Sequence, residues 1–155
     1  MRHYLDHAAT TPLRPEARDA WLAASQTVGN ASSTHGPGQD ARRLLEESRE
    51  RVAAVVDADP IEIVFTSGGT ESINLALQGL WHARPPGSSV IVHPHAEHHS
   101  TIHTFSSLMD EGAELRRVLV TPEARIDPEE FAALLPGAAL ATALAANNEA
   151  GTIND

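Results

Sequence analysis

Three short polar clusters in this sequence carry side chains able to do chemistry. The first is Ser67-Gly68-Gly69-Thr70. Glycines there let the backbone approach an anion, and the first N–H groups of a following helix, with a hydroxyl, would point at it, so a phosphate would sit well. A plain strand-to-helix turn with a Ser or Thr cap would look the same. The second runs from His93 through Pro94, His95, Ala96, Glu97 and His98 to His99, with His103 beyond; it holds five of the nine histidines. A metal is the obvious thought, but the run matches no recognised zinc spacing and no Cys supports it, so no native metal site is expected. A single imidazole laid against a flat ring, stacking and handling protons near neutral pH, is the more economical reading, with the other histidines solvated. The third cluster, Asn147-Asn148-Glu149-Ala150-Gly151, can donate hydrogen bonds to a ligand oxygen, although Asn is also common in turns.

The elements that must position these clusters can be read from spacing. Tyr4 to Pro12 reads as an extended arm and loop. A helix is expected from near Pro15, with Ala17, Ala20, Trp21 and Ala24 at helical spacing. Gly29 to Gly38 reads as a loop. The clearest helix spans Gln39 to Val56, its apolar stripe opposite a charged face that includes the pair Glu47 and Arg51. Strands are expected at Ile61–Phe65, Val90–Val92, Leu115–Val120 and Leu140–Leu144. Helices are expected after Gly69, over His98–Glu111, and from Pro128 behind an Asp127 cap whose capping box Glu130 would close. Alternating strands and helices predict an α/β fold with a mainly parallel sheet, in which ligands bind beyond the C-terminal ends of the strands. All three clusters follow expected strands, so one crevice could receive them.

Composition narrows the partners. Twenty-one acidic against 11 basic side chains give a net charge of −10, which opposes nucleic acid and anionic membranes. No apolar run is long enough for a signal peptide or a membrane span, and a cytoplasmic protein is expected. All basic residues are Arg, from Arg2 to Arg125, so the chain has no Lys, and it has no Cys.

Taken together, five blocks in order resemble the class V aminotransferase family and, within it, the NifS-like group of cysteine desulfurases that supply sulfur for iron–sulfur clusters. The blocks are Tyr4-Leu5-Asp6-His7-Ala8-Ala9-Thr10-Thr11-Pro12, Gly29-Asn30-Ala31-Ser32-Ser33 with His35, Phe65-Thr66-Ser67-Gly68-Gly69-Thr70-Glu71, Glu97-His98, and Asn147-Asn148-Glu149-Ala150-Gly151. The resemblance implies residues 1–155 to be an N-terminal arm plus the first part of the large domain of a fold type I transferase that binds pyridoxal 5'-phosphate (PLP). Gly69, through its backbone, and Thr70 would hold the phosphate. His98 would stack on the pyridine ring as a catalytic residue, Asn148 would bond the phenolic oxygen, and the Asp6 to Pro12 arm would lie near the substrate entrance.

L-cysteine as substrate, a sulfur-acceptor protein and a homodimer are implied for the full enzyme. The resemblance also implies a lysine that anchors the cofactor, an aspartate for its pyridine nitrogen, a persulfide-carrying cysteine and a carboxylate-gripping arginine beyond Asp155. These 155 residues alone are therefore expected to be inactive. The alternatives are one half of a split enzyme and a non-catalytic binding or scaffold module.

Overall fold

A computed structural model describes residues 3–154; residues 1, 2 and 155 of the span assigned above lie outside it. The chain divides after Phe65 into two compact units.

In the first unit, α1 (Pro15–Ala24) starts at the expected proline and buries no residue. The second helix, α2 (Gly36–Val56), begins three residues before the expected Gln39. The Gly29–Gly38 loop therefore ends early, for a local reason. His35 caps the helix, its Nδ1 accepting the Gly38 N–H, and Pro37 lacks only an N–H that a first turn cannot use. The glycines answer to packing as well. A Cβ on Gly38 would come within 2.6 Å of the Ser33 carbonyl oxygen, and one on Gly29 within 2.1 Å of the Pro37 carbonyl oxygen. Arg42 and Glu46, at 2.9 Å, and Glu47 and Arg51, at 3.8 Å, lace the polar face.

The strand expected at Ile61–Phe65 is not formed. Pro60–Glu62 is a single 3₁₀ turn, in which the Glu62 carboxylate accepts the Asp59 N–H at 2.8 Å. Ile63 is extended, yet none of the described residues pairs with this stretch in a ladder. Instead Arg49 donates to the Ile63 carbonyl and lies over the Phe65 ring, 5.0 Å from its centroid.

The second unit is the α/β body. Helix α3 (Gly69–His82) leads to β1 (Val90–Pro94), α4 (His99–Asp110), β2 (Glu114–Val118), α5 (Pro128–Leu134) and β3 (Ala138–Ala141). The strands form a parallel sheet in the order β2-β1-β3, with Val90 opposite Glu114 on one side and Ala138 on the other. Alternation along β1 explains the layers. Ile91 turns to one face and packs with Leu77 and Trp81 of α3 and Phe105 and Leu108 of α4. Val90 and Val92 turn to the other face, where Val118, Phe131 and Leu134 cover them. The Trp81 indole N–H is satisfied by Glu111 at 3.1 Å. Asp127 caps α5 by accepting the Glu129 and Glu130 N–H groups, but the expected box does not close, because the Glu130 carboxylate accepts the Leu119 N–H instead. Among the described residues no helix is long and apolar enough to cross a membrane.

Candidate functional site

β1 and β3 are parallel neighbours, so their C-terminal ends open on the same rim of the sheet. From β1 the chain passes through His95 to Glu97 and enters α4 at His98. From β3 it passes through Thr142 to the loop at Asn147. Between these two exits lies a cavity of about 350 Å³ lined by Glu97, His98, His99, Asn147, Asn148 and Glu149, with Pro122 and Ala124 closing one side. Two of the three polar clusters are thus brought together. The first cluster is not: Gly69 and Thr70 stand in the first turn of α3 and do not line this cavity.

The Asn148 loop is shaped by two other asparagines. Asn147 is buried, and its Oδ1 accepts the N–H groups of Glu149 at 2.9 Å and Ala150 at 2.8 Å, which folds the chain into an Asx turn. Asn154 donates to the Leu144 carbonyl at 2.9 Å and accepts the Ile126 N–H at 2.9 Å, tying the loop to the turn between Val120 and Ile126. Asn148 itself is exposed, and one of its amide hydrogens goes to the Glu149 carboxylate at 3.1 Å. The other remains for a ligand.

On the β1 side, Glu97 joins the two exits. Its Oε1 accepts the Thr142 hydroxyl at 3.0 Å and its Oε2 accepts the His98 backbone N–H at 3.3 Å. Partial burial pushes its carboxyl above the usual range, opposed by those hydrogen bonds. Glu97 also lines a smaller cavity of about 200 Å³ with Ile73, Ala76 and Leu77 of α3. In the sequence Glu97 belongs to the block Glu97-His98 but was given no role; its place beside His98 in that block was the usable signal.

At the start of α3, Gly68 is extended and offers no side-chain cap. Within residues 66–154 the N–H groups of Gly69, Thr70 and Glu71, and the Thr70 hydroxyl, have no acceptor, and a Cβ on Gly68 or Gly69 would meet nothing within 4 Å. Free donors in open space suit a phosphate. The Glu71 carboxylate turns back to accept the Ser67 hydroxyl and N–H, both at 2.6 Å, and the Ser67 hydroxyl foremost holds it below the usual carboxylate range. Of the remaining histidines, His99 and His103 on α4 have ring centroids 6.5 Å apart, and no three potential metal ligands converge among the described residues.

Comparison with known proteins gives this arrangement its context. The class V aminotransferase family model matches residues 3–155. An IscS-like cysteine desulfurase of Mycobacterium tuberculosis is 41% identical over 97% of this chain and 40% of its own length. The cysteine desulfurase IscS of Dictyoglomus turgidum is 40% identical, over 97% and 39%. Among solved structures, a NifS-like protein superposes with a TM-score of 0.92 at 33% identity, over 99% of this chain and 43% of that one. DndA from Streptomyces lividans gives 0.82 at 36%, over 98% and 43%. The chain thus spans about two fifths of the length of the curated relatives it matches. The mainly parallel α/β sheet expected of a fold type I large domain is the one found, and it is incomplete relative to those structures. A family model matched along residues 3–155, together with this agreement in fold, makes the chain a member of the class V aminotransferase family.

Proposed function

We propose that this chain carries part of the PLP pocket of a cysteine desulfurase of the NifS-like group. The observation that carries the reading is the convergence of His98 and Asn148 on one cavity at the C-terminal ends of β1 and β3. Relatives named as cysteine desulfurases support it, as does a solved structure titled SspA in complex with cysteine, which superposes with a TM-score of 0.87 at 29% identity.

The residues present fit the group. Gly69 and Glu71 would offer backbone N–H groups, and Thr70 its N–H and hydroxyl, to a phosphate at the start of α3. His98 would supply a flat imidazole platform held at the start of α4. Asn148 would give its second amide hydrogen to the phenolic oxygen. When bound, PLP supplies an electron sink for bonds at the α-carbon of an amino acid. Glu97, by anchoring the His98 backbone to Thr142, would keep the imidazole from drifting as substrate enters. In the complete enzyme the substrate would be L-cysteine and the acceptor of its sulfur a partner protein, in a cytoplasmic homodimer.

The test is a chimera in which this chain replaces the matching part of the Mycobacterium tuberculosis relative. His98→Ala is expected to lower turnover about 10²- to 10⁴-fold, the usual worth of a positioned acid–base group. His95→Ala and His99→Ala should leave turnover near that of the parent chimera, and Thr70→Ala should weaken PLP retention. Normal turnover in His98→Ala with loss in His99→Ala would place the ring against the wrong histidine.

A further inference from the structure

Helix α4 begins at a histidine. His98 is extended (φ −66°, ψ 146°), and its ring does what a Ser or Asp side chain usually does at a helix start: Nδ1 accepts the Ser100 N–H at 3.2 Å. The Ser100 hydroxyl stands 2.6 Å from the same nitrogen. These two donors differ in what they reveal. A hydroxyl can rotate to give or to accept, whereas a backbone N–H only donates, and the helix fixes its direction. The nitrogen that faces it must present a lone pair. In the neutral imidazole the single proton then resides on Nε2.

We propose that Ser100 is a positioning residue that locks neutral His98 in the Nε2–H form, so that in the resting ring the nitrogen left for a ligand is a hydrogen-bond donor. Within residues 66–154, Nε2 has no partner of its own. Ser100 is well placed to hold this lock. It is 7% exposed, and its carbonyl is engaged by the Thr104 hydroxyl at 2.8 Å, so the first turn cannot swing away from the ring. The other charged or titratable neighbours are Glu97, bonded to the His98 backbone, and His99, whose ring centroid is 6.4 Å away. The same device occurs at His35, where Nδ1 accepts the Gly38 N–H at 3.4 Å. His95, exposed and without a ring hydrogen bond, is the internal contrast.

The consequence for chemistry is directional. A neutral Nε2–H donates a hydrogen bond to whatever faces it, and taking up a proton at Nδ1 requires breaking the cap of α4. The role toward PLP rests on the reading proposed above; the tautomer does not.

The two are tested separately on the ¹⁵N-labelled 155-residue chain. Multiple-bond ring spectra under alkaline conditions are expected to show His98 with Nδ1 bare and Nε2 protonated, as for His35, with His95 exchanging between both forms. A coupling across the hydrogen bond from the Ser100 amide to Nδ1 should be visible. A protonated Nδ1 in His98, or no such coupling, overturns the inference without any variant. Ser100→Ala keeps the backbone donor and should keep the tautomer. Ser100→Pro removes it and should bring the His98 signals to the mixture seen for His95; an unchanged tautomer in a folded Ser100→Pro chain also overturns the lock. PLP is then titrated in. Shifts at the His98 ring and the Asn148 side-chain amide support the pocket reading, while unmoved signals with the tautomer intact sink that reading and leave the lock standing.

Discussion

His93 is the place to perturb the sheet and read a number. It sits in β1 at 2% exposure, its ring centroid 4.9 Å from that of Phe105. Nδ1–H donates to the Pro94 carbonyl at 2.9 Å, which leaves Nε2 as a buried lone pair with no partner. Burial pushes the pKa of this ring below its ordinary 6.5, with the Pro94 carbonyl opposing. The folded state therefore holds His93 neutral, and the unfolded chain takes up a proton as the pH falls through about 6.5. The unfolded state binds the extra proton, so stability falls with falling pH, from 6.5 down to the lowered folded value.

At pH 7.5 the effect is nearly absent. At pH 5.5, one unit below the unfolded value, it reaches at most about 1.4 kcal/mol. His93→Leu deletes the titration, the orphaned acceptor (a cost of about 1–3 kcal/mol) and one hydrogen bond (a gain of about 1 kcal/mol). The variant is expected to be about 1 kcal/mol more stable than the parent at pH 7.5, and its advantage to widen at pH 5.5 by no more than about 1.4 kcal/mol. Urea unfolding followed by tryptophan fluorescence at the two pH values measures both figures. Parallel loss of stability in parent and variant between the two would refute the argument, since the other eight histidines are common to both chains.

Phe105→Ala, in the cluster with Ile91 and Trp81, should cost about 3–5 kcal/mol in the same unfolding experiment. Glu97→Gln should act with the opposite pH sense to His93. Because the folded carboxyl is raised above 4.5, ionising it costs stability as pH rises through that raised value, and the variant's gain should appear at neutral pH and vanish in acid. Ala124, at φ 62°, holds a left-handed conformation that favours glycine, so Ala124→Gly should raise stability by about 1 kcal/mol, read as a shift of the urea midpoint. Asn154→Ala should cost about 1–3 kcal/mol through two lost hydrogen bonds, and amide hydrogen exchange at Ile126 should speed up.

The helices and the three sheet strands were legible because each advertises itself locally, through apolar runs such as Val90–Val92 and stripes such as Ile102, Phe105 and Leu108. Ile61–Phe65 has equally strand-like residues, yet a strand exists only with a neighbour to bond, and no local pattern announces one. The start of α2 was missed because Gly36 and Gly38 read as loop, although close packing against Ser33 and Pro37 is what demands glycine at 29 and 38. At the site, His98 and Asn148 could be named from motifs that the resemblance made meaningful. The residues that hold them in place could not: Thr142 reaches Glu97 across 45 positions, and Asn154 reaches Ile126 across 28. Ser100 looked like any polar residue in an early helix turn, and its engagement with Nδ1 depends on a ring orientation that spacing does not encode.

The central place of β1 also sets an order of assembly. β1 is synthesised before either of its neighbours, and Val90 must wait first for Glu114 and then for Ala138. The second closure spans twice the chain of the first, which adds only about 0.6 kcal/mol of loop entropy, so β3 pays little for arriving late. Until it arrives, however, one backbone edge of β1 is open to any other strand in the cell. A nascent chain paused between β2 and β3 would therefore be the species most exposed to mispairing, and ribosome-bound chains halted there should bind chaperones more strongly than chains released after Asn154.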